Sequence, residues 1–438
     1  MRIAPAVAAL LLTAAVFHPA NAQDVGEGLS RWVKAHEADV HALLEEVVNI
    51  NSGTDNHQGV RAVGAVFLER LAAIGFDAEW LEAGPTVDRA GHVRAVRRGS
   101  HDTGRTVLLI GHLDTVFEEG DPFDRFVRDG NTATGPGVAD DKGGVVVLVS
   151  ALEALHHAGG LDGATVTVLL TGDEESVGRP LADARAPMVQ AARASDVVLS
   201  FERGFIQEGQ PYATIARRGS SGWTLTVEAK QAHSGRIFSE ADGVGAINEV
   251  ARIIHRFYSE LAGEEYLTFN VGTLVGGTEV DYDGQTRTGS AFGRTNVIPS
   301  HAVAVGDLRT ISLDQLERTR RAMEEIVSRH LPQTQAEITF RDGYPAMTPR
   351  DTNYRLLAEY SAESEALGLG PILALDPGLR GAGDIAFASG HIRAALDGLG
   401  PQGGDTHGPG EWVDLTSFGP QILRAAALIH RLTHQPFE

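Results

Sequence analysis

From Leu29 to Val48, apolar side chains recur at three- and four-residue steps: Leu29, Trp32, Val33, Val40, Leu43, Leu44, Val47 and Val48, with His36 in phase. That spacing lines one face of a helix. Further along, the pattern shortens into continuous apolar runs bounded by Gly, Asp or Ser, at residues 106–110 (TVLLI), 164–170 (ATVTVLL) and 197–201. Between the first two, residues 143–157 return to helical spacing. Uninterrupted apolar strands alternating with helices predict a mostly parallel sheet flanked by helices, an α/β core buried on both faces.

Near residue 217 the pattern changes. Residues 222–229 (GWTLTVEA) alternate like a half-buried antiparallel strand. A helix is expected over 243–261, strands over 266–274 and 303–308, a helix over 312–331 and a strand over 336–341. This order predicts an α+β two-layer sandwich inserted at 217–344. The catalytic-type domain is then split into 23–216 and 345–438, the latter closing on a helix at 415–432. No internal repeat or low-complexity linker interrupts the chain.

Composition narrows the function classes. The 438 residues carry 58 acidic and 37 basic side chains, a formal charge of −21, and no cysteine. Such a surface repels nucleic acid and anionic membrane. The missing thiols exclude cysteine nucleophiles, iron–sulfur clusters and disulfide scaffolds, so any metal must be held by His and carboxylates. Residues 1–22 form a separate unit, with Arg2 as n-region, an apolar stretch at 6–17, and Ala20-Asn21-Ala22 as cleavage pattern. Its twelve-residue apolar core falls short of the ~20 residues needed to span a bilayer. The expectation is a signal peptide cleaved after Ala22, a periplasmic or secreted protein, and no membrane span after cleavage.

Four clusters of acidic or imidazole side chains sit where strands run into loops, the edge at which α/β sheets place their ligands. They are Gly111-His112-Leu113-Asp114, residues 135–144 (GPGVADDKGG), Gly172-Asp173-Glu174-Glu175, and Phe201-Glu202-Arg203. A fifth, residues 403–411 (GGDTHGPGE), precedes the last helix and carries His407. Singly, each has an ordinary reading: a surface triplet, a helix cap, a solvated charge run, a Glu202–Arg203 ion pair. Consecutive carboxylates directly after a buried strand repel one another unless cations neutralise them. His112 and Asp114 lie two apart in extended chain, so Asp114 is placed to accept from the imidazole while its other nitrogen meets a metal. Two histidines with several carboxylates suit zinc, and a shared carboxylate suits a two-metal site.

In this order the motifs resemble the di-zinc aminoacylase/carboxypeptidase family of metallopeptidases. Its members include glutamate carboxypeptidase, aminoacylase, acetylornithine deacetylase and succinyl-diaminopimelate desuccinylase. The likeness covers nearly the whole mature chain. It implies two Zn2+ per chain, with Co2+ or Mn2+ as substitutes in the same ligands. By the resemblance His112 and Glu202 hold one zinc, Glu175 and His407 the other, and Asp140 bridges both. Glu174 is the general base acting on a zinc-bridging hydroxide, Asp114 orients His112, and Asp141 follows a cis peptide that aims Asp140.

In the inserted domain, Ala232-His233-Ser234-Gly235 matches the motif whose histidine reaches the partner subunit's active site. A homodimer through this domain is therefore implied. Asn296 and Arg309 match positions that hold the substrate's carboxylate end. Glu202, rather than Asp, resembles the deacylase and carboxypeptidase branches. The expected reaction releases a C-terminal amino acid from a peptide or N-acyl amino acid. Alternatives are an aminopeptidase or dipeptidase on the same scaffold and a non-catalytic metal-binding member. A serine hydrolase ranks last, because no Gly-x-Ser-x-Gly elbow is present. One departure stands out: residues 278–295 lengthen the connection between Gly276-Gly277 and Asn296.

Overall fold

The computed structural model describes residues 22–100, 104–284 and 286–436. Residues 1–21, the body of the expected leader, lie outside them. The apolar runs form the strands Val107–His112, Val166–Thr171 and Val197–Ser200. The first lies parallel between the other two, and Ala394–Leu396 adds a further parallel strand beyond Val197–Ser200. Asp77–Leu81 and His92–Arg97 extend the opposite edge in antiparallel fashion, giving a mostly parallel six-stranded sheet.

Alternation within Val107–His112 sends side chains into two cores. Val107 and Leu109 join the helices Ala22–Val48, His57–Ala73, Lys142–His157 and Phe418–His434. Leu108 and Ile110 meet Met188, Ala192 and Ile385 on the other face. Lys142–His157 illustrates context overriding propensity. Its run of valines favours a strand, yet nearly every side chain is buried, so packing on both sides decides for helix.

The inserted segment folds as the strand order Thr268–Gly277, His301–Thr310, Gly219–Ala229, Thr334–Asp342, all antiparallel. Helices Ala246–Leu261 and Leu313–Ser328 cover it, enclosing Trp223, Leu225, Val227, Ile253, Phe257 and Met323 in a separate core. The long connection contains a hairpin, Glu279–Asp283 paired with Thr288–Phe292.

Helix His57–Ala73 and the antiparallel strands Asp77–Leu81 and His92–Arg97 lie outside the expected elements. Gly59 and Gly64 mask the helical spacing of that helix. Gly64 is needed for contact, because a Cβ there would lie 2.5 Å from the Trp80 ring.

Candidate metal centre

Parallel strands end at one edge of the sheet, and here three of the four deliver donors. His112 is the last residue of its strand, Glu174 and Glu175 follow Thr171 by three and four residues, and Glu202 follows Ser200 by two. Asp140 comes from the loop before helix Lys142–His157, and the Asp140–Asp141 peptide is cis. Glycines allow this crowding. A Cβ on Gly111 would lie 2.8 Å from Asp141 Oδ2, and one on Gly144 would lie 1.9 Å from the Phe201 carbonyl. His407 is presented from the fifth motif with left-handed backbone, φ 64°. Non-glycine residues adopt that conformation at a cost of order 1–3 kcal/mol.

Asp140 lies at the centre of the cluster. Its Oδ1 is 3.1 Å from His112 Nε2, and its Oδ2 is 3.3 Å from His407 Nε2. Glu202 Oε1 is 3.8 Å from His112 Nε2, and Glu175 Oε2 is 3.2 Å from His407 Nε2. Two overlapping donor groups result, His112–Asp140–Glu202 and Asp140–Glu175–His407, each with its ligand atoms within 4.8 Å. His112, Glu174 and Glu175 also fall within that span, so distance alone does not separate Glu174 from the donors. The set fits divalent cations chemically. It offers imidazole nitrogens and carboxylate oxygens, and the buried Glu175 Oε1 has no hydrogen-bond partner. His407 is the exposed member, with 57% of its side chain accessible, so the centre opens to solvent on that side.

The electrostatics show how strongly the cluster draws positive charge. Burial opposes charge on His112, but hydrogen bonds with Asp114 and Asp140 hold its pKa well above the ordinary histidine range. Hydrogen bonds to Asp140 and Glu175 lift His407 to about 11. Burial would raise Asp140, yet His112 and His407 hold it far below the usual carboxyl range. Burial lifts Glu175 to about 7 against its hydrogen bond from His407. Burial, helped by the Glu202 charge and opposed by His112, pushes Glu174 well upward.

Asp114 does more than expected. His112 Nδ1 donates to the Asp114 backbone carbonyl at 3.0 Å, with carboxylate Oδ1 farther away at 3.5 Å. The carboxylate instead accepts from Thr54 Oγ1 (2.7 Å), Glu174 N (2.9 Å) and Glu175 N (3.1 Å). Asp114 thus holds the His112 ring through its carbonyl and the Glu174–Glu175 backbone through its carboxylate. Asp141 occupies the cap position of helix Lys142–His157 but makes no capping bond; its Oδ2 accepts from His112 N at 3.3 Å.

The Glu202–Arg203 ion pair, the ordinary reading of that cluster, does not form. Arg203 Nη1 donates to the Gly403 carbonyl, while Arg217 Nη2 lies 3.0 Å from Glu202 Oε2. Arg217 Nε also pairs with Asp397, and its Nη1 donates to the Ala382 carbonyl at 2.8 Å. Glu411 was visible in the fifth motif but carried no assignment. It is buried, and its carboxylate accepts from Ala139 N (2.8 Å), Asp140 N (3.0 Å) and Gly137 N (3.4 Å), clamping the Asp140 loop. A carboxylate four residues after His407 in a glycine-rich loop is the signal that marks it.

The residues of the inserted domain are not brought to this cluster within one chain. His233 is exposed, and its Nδ1 accepts from Gly235 N. The Asn296 carbonyl accepts from Ser234 N, and Arg309 Nε pairs with Asp307 at 2.9 Å.

The sequence pattern described as Peptidase family M20/M25/M40 matches residues 108–432. Carboxypeptidase G2 of Pseudomonas sp. (strain RS-16) is 27% identical over 428 residues, covering 97% of this chain and 96% of its own length. A succinyl-diaminopimelate desuccinylase of Cupriavidus necator is 30% identical over 326 residues, covering 70% of this chain and 78% of its own. Among solved structures, aminopeptidase PepT from Bacillus cereus superposes with a TM-score of 0.69 at 16% identity, over 90% of this chain and 98% of that one. A dinuclear metal binding peptidase from Bacillus subtilis gives 0.63 at 16% identity, over 92% and 99%. These two likenesses concern the fold.

Proposed function

The chain belongs to peptidase family M20/M25/M40 and is a metal-dependent hydrolase, and from that premise we propose that it cleaves an amide bond to release a C-terminal amino acid. It acts as a carboxypeptidase or N-acyl-amino-acid deacylase. The observation carrying this reading is the pair of donor groups that share Asp140 beside Glu174. The match to a carboxypeptidase along 97% of the chain supports the carboxypeptidase or deacylase side.

His112, Asp140 and Glu202 would hold one cation and Asp140, Glu175 and His407 the second, zinc being the best fit to this donor set. When bound, such ions polarise a carbonyl and bring the ionisation of water near neutrality. Glu174, with its pKa well above the usual carboxyl range, takes a proton from the attacking water at its carboxylate. It then delivers that proton to the leaving amine nitrogen. Asp114 holds Glu174 in place through the backbone, Arg217 holds Glu202, and Glu411 holds the loop of Asp140.

From the inserted domain, Asn296 and Arg309 take the substrate's carboxylate end, and His233 reaches the active site of a second subunit. Mixing inactive His233→Ala with inactive Glu174→Ala chains then restores part of the activity; heterodimers that stay inactive refute the role across subunits. The leader pattern supports export to the periplasm or beyond, and an intact Met1 on exported protein would refute it.

The test of function is a hydrolysis panel with purified protein: N-acyl amino acids, peptides ending in Glu, and dipeptides with a free amine. Turnover of the first two classes, with release of the C-terminal amino acid, is expected. Turnover confined to free-amine dipeptides contradicts the reading.

A further inference from the structure

Arg380 lies between the short turn Pro377–Leu379 and helix Ile385–Ser389, with only 5% of the residue exposed. Its Nη2 is 3.9 Å from Glu202 Oε2 and 3.9 Å from Asp397 Oδ2, beyond hydrogen-bond reach. Neither Nε nor Nη2 has a hydrogen-bond partner. The other buried arginines are each anchored by at least one side-chain hydrogen bond or close ion pair, although Arg217 Nη2, facing Glu202, also makes no hydrogen bond. Arg185 is held by Asp173 and Asp384, Arg217 by Asp397 and Glu202, Arg105 by Glu359, and Arg424 by Ser364 and Gln421.

The carboxylates beside Arg380 are already engaged. Asp397 accepts from Arg217 and from Gly398 N, while Glu202 faces Arg217 on one oxygen and the His112 donor group on the other. A guanidinium keeps its charge throughout the physiological range. A buried guanidinium with unmade hydrogen bonds is costly unless an anion completes it. Once Glu202 serves a cation, two guanidiniums share the single full charge of Asp397. Apart from Asp397 and Glu202, no carboxylate among the described residues acts on Arg380.

We propose that Arg380 is a specificity-determining residue that takes a carboxylate of the substrate next to the scissile amide. The inference rests on the reading of Glu202 as a metal ligand and of this cleft as the substrate site. The carboxylate is that of the released amino acid, of its side chain, or of the acyl group; the chemistry recognised is the same, and the planar fork of arginine suits it.

The test uses zinc-loaded, full-length protein, wild type and Arg380→Gln. Calorimetry compares glutarate with glutaramide, and kinetics compare three matched pairs. These are N-benzoyl-glutamate with its α-carboxamide, N-benzoyl-glutamate with N-benzoyl-glutamine, and N-succinyl-alanine with N-butyryl-alanine. Loss of one charge-assisted hydrogen-bonding partner weakens glutarate binding at least about tenfold and leaves glutaramide unchanged. KM rises by a similar factor for the charged member of one pair, which identifies the carboxylate. Arg380→Lys, which keeps charge but not the fork, lies between.

If charged and uncharged partners respond alike, or the variant loses zinc, Arg380 only supports Glu202 and the proposal is overturned. Should the Gln variant not fold, Arg380→Lys and wild type decide, because wild type that binds glutaramide as tightly as glutarate also overturns it. Glutarate affinity that depends on Arg380 without amide turnover would remove the hydrolase reading alone. Turnover that ignores Arg380 would remove only this inference.

Discussion

Glu411 holds the candidate ligand Asp140 by its backbone rather than by its carboxylate, and the position of Asp140 depends on it. Its Oε1 accepts from Ala139 N at 2.8 Å and Asp140 N at 3.0 Å, and its Oε2 accepts from Gly137 N at 3.4 Å. In Glu411→Ala these donors lose their acceptor inside the protein. An unsatisfied buried polar group costs about 1–3 kcal/mol. The two short bonds therefore set a loss of about 2–6 kcal/mol, less whatever water entering the space restores. Glu411→Gln can keep an oxygen opposite Ala139 and Asp140 and place its amide nitrogen opposite Gly137, where the native contact is long. Its cost is about 1 kcal/mol. Denaturant midpoints and competitive zinc titration against a chromophoric chelator measure both effects. The order wild type, Gln, Ala is expected in stability and in zinc affinity. An Ala variant that unfolds at the wild-type denaturant concentration and binds zinc equally tightly would refute the clamp.

Three further outcomes are separable. Glu174→Gln should retain metal while turnover falls about 10²–10⁴-fold, the range of a lost proton-transfer group; full activity would remove Glu174 from its role. Arg217→Met removes the cation in contact with both Asp397 and Glu202, leaving only Arg380 at 3.9 Å from each, and should cost about 3–5 kcal/mol. Adding Asp397→Leu should recover part of that loss in denaturant unfolding, and additive losses would show that the two do not interact. Zinc binding should release protons, because the ligands must be deprotonated. At pH 8 His407, with a pKa of about 11, still carries its proton, whereas Glu175, at about 7, has mostly lost it. At pH 6 Glu175 holds one as well, so proton release grows and affinity falls as pH is lowered. Calorimetry in two buffers of different ionisation enthalpy reads this, and identical apparent heats would contradict it.

The donors were legible in sequence because each follows an apolar run or sits among glycines. His112, Glu174 and Glu202 leave buried strands with almost no spacer, and a parallel sheet must gather such exits at one edge. The residues that hold the donors in place were not legible. Arg217 and Asp397 are 180 residues apart, and neither Arg217, next to Arg218, nor Asp397 sits in a local pattern that pairs them. Arg380 likewise has no local pattern. Asp114 lies beside His112, as its two-residue spacing suggests, but its bonds to the Glu174 and Glu175 amides cross 60 and 61 residues and follow only from the sheet. The hairpin in the long connection is hard to read because Glu279–Asp283 alternates over only five residues and its partner Thr288–Phe292 is exposed throughout with no apolar alternation.

The central claim is that paired cations at the shared Asp140 carry amide hydrolysis. Its most direct test is turnover of an N-acyl amino acid by metal-stripped protein as zinc is added back. Activity should be absent at the start, rise with added zinc and level off at two equivalents per chain. Full activity in stripped protein, sustained in excess chelator, would contradict it.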